Sequence, residues 1–451
     1  MRDVAVLVLA LNSAALLHFQ QGSNQAQPLS VKVEIGPNVR ASDKGVSHVE
    51  AYVAAHPRDP KSLIIVTSHE VEGGDLIAEA IRTSDGGRTW SVKPLPKLAE
   101  WFKDGKLRIA VDNWVIFALD GTAHLSTLPD MKGTPILVYR SEDQGETWQG
   151  PTVVPARGAF DRPTMVASGK NNQERVYVVA SDAGGFAVLR SDDGGLSFKT
   201  MAFIEPDNLA HQPHHPQVLP DGSLLVPYDD YPFISVEELQ EMRRDPAKQR
   251  MNSSRIYVLR SQDGGATFGL PQFVADIPRM FPGGLETAVD LSSGRFRGRI
   301  YLAWNGEREE RRNVTIAYST DGGKRNWLKS AVLRSEQAGP AYFYSLAVSP
   351  DGTVGVSWLQ HEREEGKSHC YRIYFAASID GGETFTPPAV VSGAISCPNA
   401  AAIHKKIIGR WARGNDYMGL AAAADGSFHP VWVDARDGAY QVFTARIEVR
   451  K

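Results

Sequence analysis

Cysteine is scarce: Cys370 and Cys397 are the only two in 451 residues. That number excludes a disulfide-stapled fold and a multi-cysteine zinc or iron–sulfur centre. The two could pair with each other or stand as free buried thiols, and their sequence positions do not decide which. An excess of charge is missing too, since 49 Lys and Arg face 52 Asp and Glu for a net charge of -3. A balance so near neutrality gives no electrostatic reason to expect nucleic acid or an anionic membrane as partner. Nor is there an apolar run of about 20 residues, the length a membrane-spanning helix needs. The nearest approach, Val4 to Leu17, is shorter and sits at the chain start, where it reads as a secretory signal peptide over residues 1–27. The expectation is a single domain over residues 31–451, soluble after signal removal, monomeric, secreted or periplasmic, with neither cofactor nor metal. Asn252 and Asn313 open glycosylation sequons.

What the chain has in abundance is turn residues, with 41 Gly and 27 Pro, which favours many short strands over long helices. One turn recurs six times: Thr83–Trp90, Ser141–Trp148, Ser191–Phe198, Ser261–Phe268, Ser319–Trp327 and Ser378–Phe385. The shared pattern is S/T-x-D-x-G-x-x-W/F, with an extra residue in the fifth copy. The Asp accepts hydrogen bonds from the turn's own N–H groups. The Gly supplies a positive φ, and the aromatic re-enters the core. Apolar strands such as Ile136–Arg140 and Ile256–Arg260 precede the turns, so each copy reads as a β-hairpin.

These turns resemble the Asp-box repeats of the sialidase-like β-propellers, over residues 83 to 385. The resemblance implies an all-β propeller, with the boxes between third and fourth strands on the face opposite the ligand site, so the six Asp are expected to be structural. The box Asp residues are 58, 50, 70, 58 and 59 residues apart. At that period the folded chain holds seven units, one more than the six blades of orthodox sialidases, which remain the alternative. The seventh blade is expected from Asp416–Ala424, His429–Asp434 and Tyr440–Val449, closed by the N-terminal strand Val31–Ile35. In the 70-residue interval, Ser235 and Glu238 form a capping box, predicting a short helix over 235–244 that is either a partial lid or a surface decoration.

Propellers of this kind bind ligands at the channel mouth, where the innermost strands begin. Those starts carry His48 and Glu50, Asp112 and Asn113, Asp161 and Arg162, His211, His214 and His215, Glu286, Tyr342 and Tyr344, and Asp416 and Tyr417. Convergent carboxylates, imidazoles, phenols and an arginine make a ligand site. Tyr344–Val356 is similar to the family segment that opens with the nucleophilic tyrosine. A phenol needs a base beside it, and Glu286 is the nearest candidate. The family acid matches the loop His69–Asp75, giving Asp75, with Glu70 or Glu72 as alternatives; Asp161 is a further acid candidate. The family's arginine clamp is not matched. His48-Val-Glu-Ala stands in place of its Arg-Ile-Pro segment, and a bidentate Arg is not replaceable by His. Arg162 is placed at the channel, with Arg413 and Arg40 as further candidates. Pro213 and Pro216 keep the histidine segment extended, so His214 and His215 should diverge rather than share a metal.

Three functions follow as expectations. The first is a secreted sialidase-like glycoside hydrolase on acidic or decorated glycans, with Tyr344, Glu286, Asp161, Asp75 and His214 in catalysis. His48, Glu50, Asp112, Arg162, His215, Tyr342, Asp416 and Tyr417 would bind substrate. The second is a polysaccharide lyase in which Tyr344 or His214 abstracts a proton beside a uronate. The third is a non-catalytic propeller that binds glycan or protein.

Overall fold

The computed structural model describes residues 31–451 except 44, 102–108, 130–133, 171–172, 233–252, 279–283, 307–312, 337 and 363–368. The signal-peptide region, the helix expected over 235–244 and the Asn252 sequon lie outside the described residues. Asn313 is buried and bonded to Thr315, which leaves its sequon inaccessible.

The strands form seven antiparallel sheets. Their innermost strands are His48–Ala55, Ala110–Phe117, Phe160–Lys170, Leu209–Pro213 with Gln217–Val218, Glu286–Val289, Ala341–Val348 and Gly419–Ala422. Each innermost strand touches the next, and the last touches the first, so the sheets are the blades of a closed seven-membered ring. Every blade is covered on both faces by its neighbours. That is why second strands such as Leu63–Val71 carry continuous apolar runs rather than an alternating pattern. The core accordingly lies between blades: Ile64, Leu125, Tyr139 and Trp148 pack in one cluster, and Tyr301, Tyr344 and Trp358 in another.

Closure works as the sequence suggests. Lys32–Ile35 pairs antiparallel with Ile447–Arg450, and Val39–Arg40 continues the strand beside Phe443 and Thr444. The chain ends therefore share the seventh blade and leave no long open edge there.

The six recurrent turns connect third to fourth strands, at the opposite end of the blades from the innermost-strand starts. In the second blade, Asp143 accepts from the Thr147 N–H at 2.8 Å and from the Ser141 and Thr147 hydroxyls. Burial pushes the Asp143 carboxyl up, and these bonds together outweigh it and hold the group below its usual range. The glycine of this turn has a further reason to be glycine. Gly145 has φ +83°, and a Cβ there would sit 2.7 Å from Ile64 of the preceding blade. The arginine ahead of the motif ties the ring together in the other direction. Arg82 donates to the Gln144 carbonyl of the next blade's turn, and Arg190 to that of Gly264.

The segment between the sixth and seventh blades builds much of the site. Cys397 pairs with Cys370 in a disulfide that clips this segment to the sixth blade, where Tyr371 and Ser396 also bridge. The segment then forms the short helix Lys405–Arg410, capped by His404, and delivers Trp411, Arg413, Asp416 and Tyr417 to the channel mouth.

Candidate functional site at the channel mouth

The backbone sets the site before any side chain does. The innermost strands of the first three blades each carry a bulge at the same place, between Val49 and Tyr52, Val111 and Trp114, and Asp161 and Thr164. The first bulged residue has a left-handed conformation: Glu50 at φ +56°, Asp112 at +52° and Arg162 at +49°. For residues other than glycine this costs on the order of 1–3 kcal/mol each and persists only where surroundings enforce it. A bulge re-aims a side chain, and here three successive blades use it to present charged groups. The groups it displaces are satisfied. Thr67 and Thr127 hydroxyls donate to the Val49 and Val111 carbonyls at 2.8 and 3.3 Å. The Glu50 N–H bonds the Gly414 carbonyl, and the Ala51 N–H bonds Asn415 Oδ1.

A pocket opens at these positions, lined by residues of six blades. Of the residues expected from sequence, Asp112, Arg162, His214, His215, Glu286, Tyr344, Asp416 and Tyr417 line it. On one side stand carboxyl groups. Burial pushes the Asp112 carboxyl well up, and the charges of Glu50 and Asp161 push it further, with Arg162 opposing. Asp416 is raised by burial against the same guanidinium. On the other side, burial raises Glu286, with His215 opposing; His215 Nδ1 is 3.9 Å from Glu286 Oε2.

His214 and His215 diverge, as an extended segment requires. His214 Nδ1 accepts the Leu285 N–H at 3.2 Å, so its proton sits on Nε2 and is donated to Asp229 at 2.6 Å. This imidazole therefore has both nitrogens engaged and holds the Gly284–Leu285 backbone. The Tyr344 hydroxyl donates to the Gly284 carbonyl.

Other expected site residues sit elsewhere. His48 is buried and bonds Glu79 at 3.1 Å, which also takes His69 at 2.9 Å; it braces the first blade rather than facing the pocket. Glu50 lies one layer behind the lining, with Oε2 accepting from the Asp112 N–H and Oε1 from Trp411 Nε1, both at 2.8 Å. Burial, then the charge of Asp416, pushes its pKa up to about 7. Asp161 is exposed beside the pocket rather than lining it. Asp75 is tethered to Lys406 at 3.2 Å, on a turn whose Gly74 abuts His404. Tyr342 lies under the Arg413 guanidinium, 4.1 Å from its ring, and Arg413 in turn bonds His361 at 2.7 Å. Arg40 pairs with Asp437 and Ser42 and does not line the pocket.

Two contributors were missed from sequence. Trp114 lines the pocket and stacks on Tyr52 at 3.7 Å between ring centroids, and His215 meets Trp114 edge-on at 4.8 Å. Both aromatics stand two residues after a bulged carboxylate, in Glu50-Ala-Tyr52 and Asp112-Asn-Trp114. That repeated spacing was the available signal.

No family model matches the chain, and no curated protein does. Among solved structures, a variant of the NanB sialidase from Streptococcus pneumoniae aligns with 74% of this chain and 68% of its own, with TM-score 0.51 and 12% identity. A Hadza microbial sialidase aligns over 92% of both chains with TM-score 0.48 and 12% identity. An α-L-arabinofuranosidase from Fusarium graminearum aligns over 77% of this chain and 98% of its own, with TM-score 0.48 and 15% identity. At such identity the likeness to the first of these shows the fold alone, and the chemistry has to come from the site.

Proposed function

We propose that the protein is a glycoside hydrolase working at the channel mouth. The observation that carries this reading is a pair of carboxyl groups, Glu286 buried and Asp112 half-buried, on opposite sides of one pocket. Asp112 belongs to the second blade and Glu286 to the fifth, as far apart around a seven-membered ring as two blades stand. Glycoside hydrolysis needs a carboxylic acid that keeps its proton to give to the leaving oxygen. It also needs a second carboxylate that attacks the anomeric carbon or activates water. Burial and neighbouring negative charge suit Asp112 to the first part. Glu286, with an imidazole beside it, suits the second. Arg162 and Asp416 orient the sugar, and Tyr344 shapes the wall.

The lyase reading is weaker. Its base would be His214 or Tyr344; both nitrogens of His214 are occupied by protein partners, and the Tyr344 hydroxyl holds its proton in a hydrogen bond to the Gly284 carbonyl. We also propose export from the cytoplasm, supported by the Cys370–Cys397 disulfide, since such bonds persist in oxidising compartments. A screen for released sugar over a panel of glycans and aryl glycosides tests the hydrolase. Asp112→Asn should lower kcat on the hydrolysed substrate by about 10²–10⁴-fold. A wild-type protein that retains glycan without cleaving it would instead be a binding module.

A further inference from the structure

We infer that His214, Asp229 and Tyr344 form a clamp that positions Glu286 by fixing the Gly284–Leu285 peptide group just ahead of it. The inference rests on the reading of Glu286 as a catalytic carboxylate and deepens it, assigning His214 and Asp229 as positioning residues. The two ends of one peptide group are held from two different blades. The Leu285 N–H donates to His214 Nδ1 of the fourth blade at 3.2 Å. The Gly284 carbonyl accepts the Tyr344 hydroxyl of the sixth. This carbonyl and this N–H belong to one planar unit, so the two bonds together stop it from turning about its Cα–Cα axis. Downstream, Leu285 is buried among apolar side chains of the fourth and fifth blades, and Glu286 opens its strand opposite Ala303. The Glu286 side chain therefore leaves a backbone fixed on both sides. Glycine at 284 belongs to the device, because a Cβ there would lie 3.2 Å from His214 Nδ1, closer than ordinary contact.

Asp229 keeps His214 in the form that can accept. A neutral imidazole carries one proton, and the hydrogen bond at one nitrogen decides the state of the other. The Asp229 carboxylate takes the Nε2 proton at 2.6 Å, which leaves the Nδ1 lone pair for Leu285. The opposite tautomer, or an imidazolium, would set one N–H against another. The base of the imidazole is fixed as well. The His214 N–H bonds the Pro227 carbonyl at 2.9 Å, and the His214 carbonyl accepts the Thr164 hydroxyl of the third blade at 3.4 Å. His214 and Asp229 are both buried. Burying a carboxylate is costly, and an apolar pair would fill the same space without that cost. The pairing therefore points to a requirement for orientation rather than for packing.

The test uses the intact protein. NMR of protein labelled with ¹⁵N at histidine, at pH 7, should show His214 with its proton on Nε2 and none on Nδ1. Crystal structures of wild type and His214→Phe should differ in the Gly284–Leu285 peptide, which turns, and in the Glu286 carboxyl, which moves by about 0.5 Å or more. On a glycoside that the wild type hydrolyses, His214→Phe should lower kcat by about 10²-fold with KM little changed. His214→Asn, whose amide oxygen can accept from Leu285, should recover most of that loss. The losses in Asp229→Ala and Tyr344→Phe should combine to less than their product, since both act on one peptide group. A proton on Nδ1, a Glu286 that stays in place in His214→Phe, or losses that simply multiply would each overturn the inference. Should His214→Phe not fold, Asp229→Ala gives the same structural comparison. The hydrolase reading fails separately: if the tautomer and the displacement are as stated but no glycoside is cleaved, the clamp stands and the catalytic reading of Glu286 falls.

Discussion

The Glu50 carboxylate accepts the backbone N–H of Asp112 at 2.8 Å, across the joint between the first and second blades. Both residues occupy the same bulge position of their own blades. The bond therefore links two copies of one device, and it places a negative charge behind the proposed acid. Glu50→Gln should remove that charge and let the Asp112 pKa fall. The alkaline limb of the kcat/KM profile, where the acid loses its proton, should then move to lower pH. An unchanged limb in a folded variant would show that another group is the acid.

Stability should depend on pH with a definite sign. The Glu50 pKa stands at about 7 in the folded protein against an ordinary 4.5. The native state thus holds the proton more tightly than the unfolded chain, and the stability it contributes is complete below 4.5 and lost as pH rises through about 7. The raised Asp112 and Asp416 act in the same direction. Burial lowers His429 from an ordinary 6.5 to about 4, which acts in the opposite direction between those values, so the reading is the difference between two proteins. Urea denaturation at about pH 4.5, 5.5, 6.5 and 7.5 should show Glu50→Gln gaining stability relative to wild type as pH rises. A difference that does not change with pH would contradict the raised Glu50 pKa.

The blade count and the closing strand were legible in the sequence, because a repeated motif with a fixed period reports topology directly, and the face carrying the turns followed from the resemblance of those turns to Asp-box repeats. The starts of the innermost strands were legible for the same reason. The inward direction of their side chains was only partly so. His48 and Glu50 are two residues apart, and a strand's period of two would put both on one face; the bulge after Val49 breaks that period. The signal for Trp114 and Tyr52 lay in the Glu50–Tyr52 and Asp112–Trp114 spacing, obscured because aromatics in strands ordinarily mean core. The disulfide was not legible, since pairing depends on the approach of two Cα atoms, here 4.3 Å apart across a separation of 27 residues.

Asp143→Ala should lower stability by about 1–3 kcal/mol, because the Thr147 N–H and the turn hydroxyls lose their acceptor. The turn is remote from the pocket, so kcat per folded molecule should be unchanged. A large rate loss at unchanged stability would place function on the turn face.

Cys370→Ser with Cys397→Ser should destabilise the protein by roughly 3–4 kcal/mol, the loop-closure value for 27 residues. Below the melting temperature it should also lose more activity than Asp143→Ala, because the clipped segment carries Trp411, Asp416 and Tyr417. Melting curves and turnover with and without dithiothreitol read both effects. Full activity in the reduced folded protein would show that the segment holds its place without the bond.

Tyr344→Phe removes the hydroxyl that donates to the Gly284 carbonyl. The expected loss is no more than about tenfold in kcat, on the scale of one hydrogen bond. Complete loss in a folded variant would make Tyr344 the nucleophile, with Glu286 as its base.

The most direct test is turnover of Glu286→Gln on the glycoside that the wild-type protein hydrolyses, measured beside its melting temperature. Glu286 is 8% exposed and lines the pocket, and the amide keeps its shape while removing its charge. Catalysis at the channel mouth predicts near-complete loss of sugar release with the melting temperature little changed. Retained turnover in the folded variant would contradict it.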